Sequence, residues 1–104
     1  KNLALVYCDK QEYDKAMEFG KKVLDLRLKK LDFNHLDVGN SYNILGYINC
    51  KNSEKMEASK CYENAISIYT KNFGKNNKKT QEVMAKIEKF VNKDYLEKRK
   101  FYVV

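Results

Sequence analysis

The sequence predicts an all-α protein built as a solenoid of helical hairpins, and three observations predict it. Apolar residues fall in four successive stripes with the three–four alternation of one helix face. Proline is absent and glycine appears four times, so little interrupts long helices. Shifting the chain by 42 residues lays one half of it on the other, like on like.

The stripes give the elements in order. Tyr13, Ala16, Met17, Gly20, Val23, Leu24, Arg27, Leu28 and Leu31 predict a helix over 12–31, preceded by a short one over 1–9. Val38, Tyr42, Leu45 and Ile48 predict a helix over 37–51. Ala58, Cys61, Tyr62, Ala65, Ile66, Tyr69 and Phe73 predict one over 54–73, and Val83, Met84, Ile87, Phe90 and Val91 one over 79–92. A further helix is expected around 94–102. Short polar breaks at 9–12, 32–36, 51–53 and 74–78 separate them. Gly74 follows the third stripe directly, where a left-handed C-terminal cap is expected. Ser53 is placed to cap the next helix, with Glu54 and Glu57 in its first turn, where the helix dipole favours acids. No stretch alternates convincingly with the period of a strand.

Composition narrows the function classes. The 104 residues are 43% hydrophobic and 34% charged, enough to fold but not to build a deep single core. No apolar run approaches the roughly 18 residues of a membrane span, and no signal-peptide pattern opens the chain. Cys8, Cys50 and Cys61 are odd in number and widely spaced, without a Cys-x-x-Cys pair, and there is a single histidine. A disulfide framework and a zinc site are both disfavoured, and a reducing cytosol is the expected setting. The net charge is +7, and the excess sits mainly after Gly74, with nine basic against four acidic side chains. A basic end favours acidic partners, whether peptide, nucleic acid or lipid headgroup, without choosing among them.

The internal repeat carries more. At the 42-residue shift Leu3 meets Leu45, Cys8 meets Cys50, Glu12 meets Glu54, Ala16 meets Ala58 and Asn34 meets Asn76. Ala4/Gly46, Val6/Ile48, Leu24/Ile66 and Leu31/Phe73 match in character. Each unit is then a helix, a tight turn, a second helix and a loop, and one such hairpin cannot bury its stripe without a neighbour. With Leu3, Ala4, Tyr7, Tyr13, Ala16, Leu24, Arg27, Leu31, His35, Asp37 and Val38 in the first copy, and Leu45, Gly46, Ala58, Tyr62, Ala65, Ile68, Phe73 and Gly74 in the second, the chain resembles tetratricopeptide repeats, in the long form found in kinesin light chains. The resemblance covers about residues 1–93. It implies an α–α superhelix of about two and a half repeats, with units of about 1–36, 37–78 and 79–104.

There are departures. Leu36 and Lys78 stand where the family usually has proline after the loop histidine. Asn49 replaces the counterpart of Tyr7, and Lys55 that of Tyr13. In the third unit Glu88 and Lys100 occupy the close-packing positions, so residues 79–104 read as a terminal unit. The chain begins partway into a first helix, without Met and with about two turns before Asp9, which predicts a slice of a longer array. Leu3, Leu5 and Val6 then form an apolar surface without its upstream neighbour, and self-association through open repeat ends is expected.

The resemblance implies that the first helix of each unit lines a concave groove. Asn40, Asn43, Tyr47 and Lys51 recur at three- and four-residue steps opposite the buried stripe. The equivalent positions are Asn2, Leu5 and Asp9 before them, and Glu82, Lys89 and Lys93 after them, with Lys86 adjoining. An asparagine both donates to and accepts from an extended peptide backbone, and lysines attract carboxylates over longer range. By resemblance Asn43 matches the first asparagine of the Leu-Asn-Asn-Leu-Ala run that contacts cargo in kinesin light chains; Ile44 stands where the second would be.

No enzyme is expected. His35 and Asp37 are explained by the loop of the repeat, Cys8 and Cys50 as small packing residues and Cys61 as core. The eight tyrosines mostly occupy packing positions, with Tyr47 exposed. No phosphate loop, dinucleotide fingerprint, zinc motif or nucleophile elbow occurs, and neither metal nor cofactor is expected. The leading reading is a cytoplasmic protein–protein interaction scaffold that binds an acidic peptide in the groove. The alternatives are a nucleic-acid binder using the basic C-terminal third, disfavoured because only Arg27 and Arg99 are arginines, and a spacer or oligomerisation module. One consequence needs only the packing positions: Ala58→Leu overpacks its hairpin and lowers stability by roughly 1–3 kcal/mol, read as a lower urea midpoint.

Overall fold

A computed structural model describes residues 2–90, with α1 Leu3–Asp9, α2 Tyr13–Lys30, α3 Leu36–Lys51, α4 Lys55–Phe73 and α5 Lys78–Phe90. The described residues contain no strand. The helix expected around 94–102 lies outside them, as do Lys93 and Lys100.

The helices begin and end in register with the 42-residue repeat. α1 ends at Asp9 and α3 at Lys51; α2 starts at Tyr13 and α4 at Lys55; α3 starts at Leu36 and α5 at Lys78. The two tight turns are the same turn. Gln11 at φ 64° and Ser53 at φ 62° both take left-handed backbone. In the first, the N–H of Glu12 donates to the carbonyl of Tyr7 at 2.9 Å; in the second, the N–H of Glu54 donates to that of Asn49 at 2.8 Å. This six-to-one closure, with a left-handed residue before it, satisfies the last carbonyls of one helix while launching the next. The role expected of Ser53 is thereby corrected. It is the turn residue itself, Glu54 takes the cap position, and no side chain caps α4.

The longer loops use side-chain caps instead. His35 Nδ1 accepts from the N–H of Asp37 at 3.1 Å at the start of α3, and Asn77 Oδ1 accepts from Lys79 at 2.8 Å at the start of α5. His35 and Asp37 thus serve the helix start, as the repeat implied. Gly74 ends α4 at φ 90° and ψ 163°. The positive φ is as expected, but the extended ψ puts it in a region open essentially to glycine alone, not in the left-handed helical well.

α3 is the central element, packed between α2 on one side and α4 on the other, with α1 also against it. Ala16 and Ala58 are fully buried in the two hairpins. Met17 of α2 and Leu31, just after it, pack with Leu24, Val38, Leu45 and Ile68. Ala58, Tyr62, Ala65, Tyr69, Val83 and Ile87 make the core between α4 and α5. Glu88, at the position where α3 has Gly46, is exposed.

Two joints at equivalent positions differ in chemistry. Arg27 of α2 donates at 2.8 Å both to the carbonyl of Asp37 and to Ser41 Oγ of α3. Forty-two residues on, Tyr69 replaces the arginine and Val83 the serine, both buried, and Lys79 Nζ lies 5.6 Å over the Tyr69 ring. The polar joint becomes an apolar one with a cation on its rim.

Gly46 sets the closest approach of α3 and α4. A Cβ placed there would stand 2.6 Å from the ring of Tyr62, which is fully buried. A boxed-in aromatic ring has no room to yield. Gly46→Ala is therefore expected to cost roughly 1–3 kcal/mol, seen as a lower urea midpoint with an unchanged slope.

Candidate functional site

Side chains from α1, α3 and α5 meet in one open cleft of about 290 Å³. Leu5 and Asp9 come from α1, Asn43, Ile44 and Tyr47 from α3, and Lys86 from α5. Leu5, Ile44 and Tyr47 give it apolar walls, and Asp9 and Lys86 place opposite charges on its rim. Lys86 Nζ donates to Asn43 Oδ1 at 3.3 Å and lies 5.9 Å from the centre of the Tyr62 ring. Lys51, exposed at the end of α3, holds its Nζ 5.5 Å over the ring of Tyr47.

The residues that the sequence proposed for this face divide into three groups. Leu5, Asn43, Tyr47 and Lys86 are brought together, with Lys51 beside them. Tyr47 is half-buried in the wall, not exposed as expected. Asn40 is drawn into the packing: the hydroxyl of Tyr69 donates to its Oδ1. Asn2 sits apart, in a narrow crevice with Gly20, Val23, Arg27 and Ser41, where its Oδ1 accepts from the N–H of Ala4 at 2.9 Å. Lys89 is exposed on α5, and Lys93 lies outside the described residues. Ile44 is the lining residue that the sequence reading did not select; an apolar residue directly after Asn43, off the buried stripe, was the available signal.

Chemically the cleft is equipped to bind. The amide of Asn43 offers both donor and acceptor capacity, aliphatic and aromatic surface flanks it, and two ammonium groups stand close by. The three cysteines are free thiols. Burial pushes each of them above the ordinary thiol range, although neighbouring lysines act in the opposite sense, so at neutral pH they stay protonated and weakly nucleophilic. Asn49, the departure from the first copy, is buried and donates to the carbonyl of Leu45 at 3.0 Å, with Cys61 Sγ at 3.7 Å. Among the described residues no group of three or more His, Cys, Asp or Glu is placed to hold a metal ion.

Beneath the cleft, burial raises the hydroxyls of Tyr62 and Tyr69 above their usual range; the Cys50 thiol adds to the effect at Tyr62, and an asparagine amide partly offsets it at Tyr69. The folded chain keeps protons that the unfolded chain releases near pH 10, or near pH 9 for the thiols. The contribution of these groups to stability is constant below about pH 8 and falls as the pH rises further, because the unfolded state alone gains by ionising. In a tyrosinate absorbance titration, Tyr62 and Tyr69 should stay silent until the helices melt, and a Tyr62→Phe, Tyr69→Phe variant should lose that late, unfolding-linked component.

Comparison with known proteins gives one family match: the sequence model of the tetratricopeptide repeat fits residues 2–37. No curated protein matches the chain.

Proposed function

Because the chain carries a tetratricopeptide repeat, a type of unit that serves generally as a protein–protein interaction module, we propose that it binds an extended, acidic peptide segment in the cleft where α1, α3 and α5 meet. The observation that carries this reading is the convergence of α1, α3 and α5 on one cleft, with the Asn43 amide between apolar walls. An extended backbone laid across it would take hydrogen bonds from Asn43, at a cost to the bond from Lys86. Carboxylates on the segment would face Lys51 and Lys86, while Asp9 would repel acids at the α1 end and so set direction. No catalytic step belongs to this reading, and the three free thiols fit a reducing, cytoplasmic setting. The units of about 1–36, 37–78 and 79–104 would form one continuous binding surface, with Lys89 and Lys93 extending it towards the C-terminus.

A salt series with a pool of acidic peptides tests the reading. Asn43→Ala should weaken binding at every salt concentration, on the order of 1 kcal/mol. Lys51→Glu should chiefly slow association, and its effect should shrink as salt rises. If single-stranded RNA binds instead, with a steep log–log salt slope and no response to Asn43→Ala, the basic residues serve nucleic acid. If neither ligand binds above background, a spacer role remains.

A further inference from the structure

Charge is distributed unequally between the two edges of the solenoid. At one edge lie the tight turns at 10–12 and 52–54, where Asp9, Glu12, Asp14, Glu54 and Glu57 stand among Lys10, Lys15, Lys51 and Lys55. Acids and bases nearly balance there. The other edge, about 27 Å away along the 18 residues of α2, carries the loops at 31–35 and 74–77. Lys29 and Lys30 close α2, Lys71 sits in the last turn of α4, and Lys75, Lys78 and Lys79 follow, all exposed. Asp32 and Asp37 are the acids among them.

The same edge presents two aromatic side chains. Phe33, in the first loop, and Phe73, the last residue of α4, are each 43% exposed. Both are braced from behind: Phe33 leans on Tyr42 with ring centres 6.0 Å apart, and Phe73 stacks on Tyr69 at 6.3 Å. The two loops are tied to each other, since Asn72 Nδ2 donates at 2.7 Å to the carbonyl of Asn34. One edge, tied together by the Asn72–Asn34 bond, therefore carries two exposed phenylalanines, one in a loop and one at the end of α4, with six lysines around them.

We propose that this edge docks onto an anionic lipid bilayer, with the lysines against the headgroups and Phe33 and Phe73 inserted at the interface. Six lysines against two acids supply the attraction that a negatively charged leaflet exerts on a basic cluster. The exposed rings supply the apolar contribution that holds a protein at the interface after electrostatic encounter. Single-stranded RNA would also use the lysines and can stack bases on exposed rings. The arginine at this edge, Arg27, is however engaged with α3 and offers no free guanidinium plane for a base, which favours the bilayer. The proposal is separate from the cleft, whose residues lie on another face, and it involves no membrane-spanning element; among the described residues no helix is long and apolar enough to cross a membrane.

Vesicle co-sedimentation with the full chain tests it, using phosphatidylcholine vesicles with and without about one-third phosphatidylserine. Binding should require phosphatidylserine. Lys75→Glu with Lys79→Glu should weaken it about tenfold or more, whereas Lys10→Glu with Lys55→Glu, the same charge change on the other edge, should have little effect. Phe33→Ser with Phe73→Ser should weaken binding several-fold at unchanged net charge and unchanged helicity. The chain has no tryptophan, so Phe33→Trp gives a single reporter whose emission should shift to the blue with phosphatidylserine vesicles only. No binding at low salt, equal losses from the two lysine pairs, or no shift from the reporter would each overturn the proposal. Tighter binding to single-stranded RNA than to phosphatidylserine vesicles, lost in the Lys75→Glu, Lys79→Glu variant, would overturn it in favour of nucleic acid.

Discussion

The contact between Gly46 and the ring of Tyr62 is the constraint on which the rest of the structure depends. α3 has to face α2 and α4 at once, and it does so because its two packing faces are made of small residues, Gly39, Ser41 and Gly46, between Val38, Leu45 and Ile48. The missing side chain at position 46 is filled by an aromatic ring from α4, so the helices close without a void. Once α4 is seated, Tyr69 reaches Asn40 and Ile68 joins Leu24 and Val38. The spacing of the first helices, and with it the cleft, follows from that approach.

Much of this was legible in the sequence, because helix periodicity and small-for-small substitution at a fixed shift are direct imprints of packing. The bounds of the described helices agree with the expected ones to within a residue or two, apart from the end of α5, since the described residues stop at 90. The turns were legible as breaks but not as geometry. Left-handed backbone is usually signalled by glycine or asparagine, and here Gln11 and Ser53 adopt it, held by hydrogen bonds from backbone to backbone that leave no mark on composition.

The cleft was legible in part, for a different physical reason. Helical spacing identifies which residues share a face, and so it placed Asn43, Tyr47 and Lys86 together. It does not say which polar side chains on that face are already used. Asn40 is taken by a tyrosine from α4 and Asn2 by the first turn of its own helix, contacts that depend on partners 29 residues away in one case and two in the other. Arg27 shows the converse: its spacing put it in an apolar stripe, yet its guanidinium reaches past that stripe to the first turn of α3.

The unlike joints at Arg27 and Tyr69 bear on whether the units are interchangeable. Although they share a length and a turn, a hairpin ending in the α2 pattern needs a serine and an accessible first-turn carbonyl ahead of it, and one ending in the α4 pattern needs an apolar pocket. Exchanging their order would set a guanidinium against Val83 and leave a tyrosine facing Ser41. Each unit therefore recognises its successor, and the array has a fixed reading order written into its joints.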